Sequence, residues 1–88
     1  MKVIWKYKIP IESWFTLEMP MGAKILTFQS QGDEAYVWAT VEPGREIVKR
    51  CFAILATGQE FVESPGEYLG TAQTHGGQLI WHLFEIKA

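Results

Sequence analysis

The sequence predicts an all-β protein: a small antiparallel β-sandwich or partly open barrel of about six or seven strands built from hairpins. Three observations predict it. Apolar and polar residues alternate in short runs, as they do along a strand with one buried face. Glycine, proline or aspartate punctuates the runs, at Pro10, Pro20-Met-Gly22, Gly32-Asp33, Pro43-Gly44 and Gly76-Gly77. No stretch carries the spacing of an amphipathic helix. The whole chain, residues 1–88, is assigned to one domain.

The first strand runs from Lys2 to Ile9. Val3, Trp5, Tyr7 and Ile9 share one face, and Lys2, Lys6 and Lys8 share the other with Ile4, which suits an edge strand guarded by lysine. Pro10 ends it. A second strand covers Phe15 to Met19, closed by the Pro20–Gly22 turn. Ala23–Gln29 and Ala35–Val41 form a hairpin around Gly32-Asp33. With that loop, Leu26 faces Ala39 and Phe28 faces Val37, and these four are assigned to the core. The other face then carries Ile25, Thr27, Gln29, Tyr36, Trp38 and Thr40.

Glu42-Pro-Gly-Arg45 reads as a type II turn with Gly44 at positive φ. The strand from Ile47 to Ala56 is apolar on both faces near its end and is expected to be central and covered on both sides. Gly58 to Glu67 is the longest irregular stretch. In the last hairpin a loop at Gly76-Gly77 pairs Trp81 with Ala72, His82 with Thr71 and Leu83 with Gly70. Leu69, Thr71, Gln73, Ile80, His82 and Phe84 fall on the opposite face from Trp81 and Leu83.

Composition narrows the function classes. Hydrophobic residues make up 48% and charged residues 20%, which argues for a folded core. Aromatic content of 14% is high for so small a body, and rings left outside mark a contact surface or an oligomer interface. A homo-oligomer is therefore expected. The net charge of −2 gives no global electrostatic case for nucleic-acid binding. No run approaches the roughly 20 apolar residues of a membrane helix, and no signal-peptide core appears. Cys51 is the single cysteine, so an internal disulfide is ruled out and a reducing, cytoplasmic setting is expected.

Candidate chemistry is sparse. His75 and His82 are the only histidines, and the last hairpin separates them by nearly a strand length, so no metal site is expected. His82 reads as a hydrogen-bonded structural residue, with a binding role at a subunit interface as the lesser alternative. Cys51 reads as a buried structural thiol. Ser13, Ser30 and Ser64 lack a nucleophile elbow, and Glu60, Glu63 and Glu67 lie in a loop. The sequence thus points away from catalysis, and no cofactor is expected. The best candidate surface is Tyr36 and Trp38 with Thr27 and Gln29: rings to stack a planar ligand, hydroxyl and amide to read its edges. Core packing or a dimer interface is an equal alternative for these rings. Lys49 and Arg50 on the adjoining strand could supply charge; alternation sends only one of them to a given face, and the sequence leaves open which.

The runs Leu17-Glu-Met-Pro-Met-Gly-Ala-Lys-Ile-Leu26, Val37-Trp-Ala39, Gly66-Glu-Tyr-Leu-Gly-Thr71 and His75-Gly-Gly…Trp81-His-Leu-Phe84 resemble an uncharacterised family of short bacteriophage and prophage proteins carrying a Glu-Met-Pro-x-Gly-Ala motif. The resemblance covers nearly the whole chain. It implies a setting, the cytoplasm of an infected bacterial cell, and lends no reaction or ligand. Three readings follow. In the first, an oligomeric sponge sequesters a nucleotide-type immune signal, with Tyr36, Trp38, Arg50, His82 and Thr27 as candidate ligand-binding residues. In the second, a sheet face or edge inhibits a host defence enzyme. In the third, the protein is a structural or morphogenesis component of the virion.

Overall fold

The computed structural model describes residues 1–87. Seven strands follow in order: β1 (Val3–Ile9), β2 (Trp14–Pro20), β3 (Lys24–Gln31), β4 (Glu34–Val41), β5 (Ile47–Ala56), β6 (Glu67–Thr74) and β7 (Leu79–Ile86). They form two antiparallel sheets, β1-β4-β3 and β2-β5-β7-β6, packed as a sandwich. The predicted all-β class is therefore the observed one. One short 3₁₀ turn at His75–Gly77 is the only helical element among the described residues. The molecule is a flat slab, 40 × 30 × 16 Å.

Alternation chooses the inner faces. Ile9, Phe28, Val37, Ala39 and Val41 from the first sheet meet Phe15, Met19, Phe52, Ile54 and Leu83 from the second. The Phe15 and Phe52 rings stack with centroids 5.4 Å apart. Burying each such side chain contributes on the order of 1.5–3 kcal/mol. The sheets approach most closely where β6 crosses β3. A Cβ on Gly70 would stand 3.3 Å from the Phe28 Cβ, so a near-absent side chain lets the two backbones close.

The first hairpin keeps its expected two-residue loop; the second keeps its register, but its ladder ends at Thr74–Leu79, so its loop is four residues, 75–78, instead of two. Gln31 pairs with Glu34 across Gly32-Asp33. Gly76 and Gly77 take φ of 66° and 88°, left-handed values that glycine adopts without strain. His75 joins them at φ 56°, and its N–H donates to the Asp33 carboxylate at 2.8 Å, which ties the tips of the two hairpins together. Trp81–Ala72, His82–Thr71 and Leu83–Gly70 pair as the loop dictates.

The departures have local causes. A bulge between Ile25 and Thr27 shifts the register of β3, so Ile25 faces Ala39 and packs on the core while Leu26 is exposed. A second bulge between Tyr68 and Gly70 turns Leu69 onto the core, away from the face assigned to it. The Glu42–Arg45 turn closes with Arg45 N–H to the Glu42 carbonyl at 3.0 Å, but Gly44 is absent from the positive-φ residues, so the turn is not type II. β5 is central, between β2 and β7, yet only its Phe52–Ile54 face is covered by the other sheet. Cys51, expected to be buried, is half-exposed on the outer face of β5.

Candidate functional site

The five residues singled out in the sequence occupy three different places. Tyr36, Trp38 and Thr27 lie on the outer face of the three-stranded sheet, His82 lies on the outer face of the four-stranded sheet, and Arg50 points between the sheets. Within one chain they do not form a common pocket.

Arg50 is committed to the fold. It stands beside Phe52 on the inward side of β5, at the open end of the sandwich. Its guanidinium makes a bidentate pair with Glu85 of β7, at 2.7 and 2.8 Å, and donates a further bond to the Ala23 carbonyl in the turn before β3. The side chains retain only 20% and 14% exposure. The Glu85 hydrogen bond holds the Arg50 pKa above its ordinary value against the opposing effect of burial. The geometry therefore ties strands of both sheets together and leaves no free fork for a ligand.

On the outer face of the three-stranded sheet, β4 is the middle strand. Register sets Lys6, Trp38 and Thr27 in one row across β1, β4 and β3, and Lys8, Tyr36 and Gln29 in the next. Each row reads cation, aromatic, polar group. The Tyr36 and Trp38 rings are 6.0 Å apart and tilted by 52°. Lys6 Nζ sits 4.6 Å from the Tyr36 ring centre and donates to Gln31 Oε1 at 3.0 Å. Gln29 Nε2 donates to Thr27 Oγ1 at 3.3 Å. Lys8 pairs with Glu34 at 2.6 Å, which raises the lysine pKa and lowers the carboxylate's, chiefly through that hydrogen bond. Both rings are half-buried by their own neighbours and covered by no second layer. Such a face can stack planar groups and hold anionic ones at its lysine edge.

The outer face of the four-stranded sheet is of another kind. Trp14, Ala53, Phe84 and Tyr68 fall in one row across all four strands. Tyr68 and Phe84 meet edge to face at 5.6 Å. In the next row His82 is fixed from both sides: Nδ1 lies 2.9 Å from Thr71 Oγ1 and Nε2 lies 2.7 Å from Thr57 Oγ1. Tyr68 OH continues the chain to Thr71 at 2.6 Å. This hydrogen-bonded series includes no carboxylate, and both imidazole nitrogens are engaged by hydroxyls, so the ring is held as a structural link. Beside it, Leu55, Phe61 and Phe84 wall a shallow cleft of about 240 Å³. Sequence reasoning placed His82 opposite Thr71 but missed Thr57, because a loop residue carries no register.

Among the described residues no three His, Cys, Asp or Glu side chains gather as a metal site. Among the described residues no helix is long and apolar enough to cross a membrane.

Fold and faces together define a two-sheet β-sandwich with one polar-aromatic and one apolar outer surface. The chain belongs to the family described as a domain of unknown function, DUF7352, whose model matches residues 1–88. No curated protein and no solved structure matches it.

Proposed function

We propose that the protein is a non-catalytic binder that captures a nucleotide-type ligand on the outer face of its three-stranded sheet. The observation that carries this reading is the repeated row of lysine, aromatic ring and hydroxyl or amide: Lys6–Trp38–Thr27 and Lys8–Tyr36–Gln29. A base stacks on a ring, a phosphate meets a lysine, and a base edge meets Thr27 or Gln29. The family resemblance implies only the setting, a phage or prophage accessory protein in the bacterial cytoplasm; sequestering a nucleotide immune signal is the role we assign to this face there.

Calorimetric titration with mononucleotides and with linear and cyclic dinucleotides tests it. Base–aromatic stacking contributes roughly 1–3 kcal/mol, so Trp38→Ala should weaken binding about 5- to 150-fold with the far-ultraviolet spectrum unchanged. Absence of binding to every nucleotide would sink the reading.

A further inference from the structure

We infer that the outer face of the four-stranded sheet is a homodimer interface, occupied by the same face of a second copy. The inference is independent of the nucleotide reading, which concerns the opposite side of the slab.

The sheet has two apolar faces and one chain covers only one of them. The row Trp14–Ala53–Phe84–Tyr68 spans the sheet from edge to edge. Trp14 and Tyr68 are each 57% exposed, and Phe61 beside the row is equally so. Cys51, Leu55 and Ile86 extend the apolar surface along the strands, half-buried and uncovered. A contiguous apolar area of this kind is unusual on a protein that works alone.

Two features favour a second copy over an unlike partner. The first is charge. The three rows Thr16–Cys51–Ile86, Trp14–Ala53–Phe84–Tyr68 and Leu55–His82–Thr71 contain no acidic or basic side chain apart from the histidine. A two-fold axis brings like groups of the two copies close together, so its centre must be free of charge. Charge is depleted at the core of interfaces in general, but here the flanking row Glu18–Lys49 carries one charge of each sign, which a two-fold axis can set as opposite-sign pairs between copies, whereas the opposite face of this molecule carries lysines and Glu34. The second feature is area. A slab of 40 × 30 Å presents a broad side on the order of 1,000 Å², comparable with the roughly 800 Å² per partner of a standard interface. Pairing would roof the cleft beside His82 and would give β5 the cover on both sides that its sequence calls for.

Sedimentation or light scattering on the full chain, across a wide range of concentration, tests this. The expected mass is twice the 10.0 kDa of the chain. Trp14→Glu with Tyr68→Glu should shift the dissociation constant at least about 100-fold toward monomer, as expected when charges enter an apolar interface centre. Both side chains are more than half exposed in the single chain, so the variant should keep its circular dichroism spectrum. Thiol labelling gives a second readout: Cys51 should react slowly in the wild type and fast in the variant. Lys6→Ala with Lys8→Ala, on the opposite face, should leave the mass unchanged. A wild-type monomer at every concentration would overturn the inference. So would a dimer that persists in the Trp14→Glu, Tyr68→Glu variant with Cys51 still protected, or one lost in the lysine variant.

Discussion

The two outer faces of this slab are built by the same alternation and end up chemically opposed. Beyond the three-stranded sheet, the middle strand offers Tyr36 and Trp38 but its neighbours offer lysines, glutamines and a threonine. Beyond the four-stranded sheet, the middle strands offer Cys51, Ala53, Leu55, Phe84 and Ile86, and the edges add Trp14 and Tyr68. Water can solvate the first face between its rings. It cannot do so on the second without a continuous apolar contact. The difference teaches that aromatic content alone does not tell a ligand surface from an assembly surface; what lies in the same row across neighbouring strands does.

Between the faces sits the Arg50–Glu85 pair, and the largest expected effect is there. Arg50→Met should cost about 3–5 kcal/mol in urea unfolding, because it strands a partly buried carboxylate and the Ala23 carbonyl. Arg50→Met with Glu85→Met should recover much of that loss. If Arg50 instead serves a ligand, the single variant will unfold like the wild type and lose binding only.

Next is the seam that holds the sheets at their spacing. Gly70→Ala places a methyl against the Phe28 Cβ and should cost about 1–2 kcal/mol. A thermal melt unchanged by this substitution would show that β6 and β3 are free to part. Tyr7→Phe should go the other way. The Tyr7 hydroxyl is buried with no partner among the described residues, so its removal should be neutral or stabilise by about 1 kcal/mol. Burial also holds the Tyr7 pKa above 10.0 despite the opposing charge of Arg50. The folded state thus keeps its phenolic proton longer than the unfolded chain, and wild-type stability should fall as pH rises above about 10. That alkaline loss should shrink in Tyr7→Phe.

The smallest effect belongs to the lysine-bearing face. Glu34, with its pKa lowered by Lys8, should contribute above its ordinary titration range and lose that contribution as pH falls below it. Glu34→Gln should flatten the acid limb of the melting profile slightly, and only at low salt, since the pair is solvent-exposed.

The fold was legible in the residues because short-range chemistry decides it. Alternation marks the strands, and Gly32-Asp33 and Gly76-Gly77 set two registers. Each glycine loop leaves one pairing compatible with its hydrophobic face. The bulges at Leu26 and Leu69 were not legible, because nothing local distinguishes an extra residue from a paired one. Of the candidate site, the sequence joined Tyr36, Trp38 and Thr27 correctly through the hairpin that holds them. It could not separate them from His82 and Arg50, which reach their positions through a different sheet.

By itself, then, the sequence determined an all-β chain, its strand order along the polypeptide and, away from the bulges at Leu26 and Leu69, which residues share a face. Only the tertiary structure decided which strands sit side by side, that Arg50 turns inward to Glu85, and that one side of the β2-β5-β7-β6 sheet is left bare. The physical reason is range. Side-chain alternation and turn conformation are fixed within a few residues, whereas sheet partners such as Phe52 and Phe15 are brought together by burial across the whole chain.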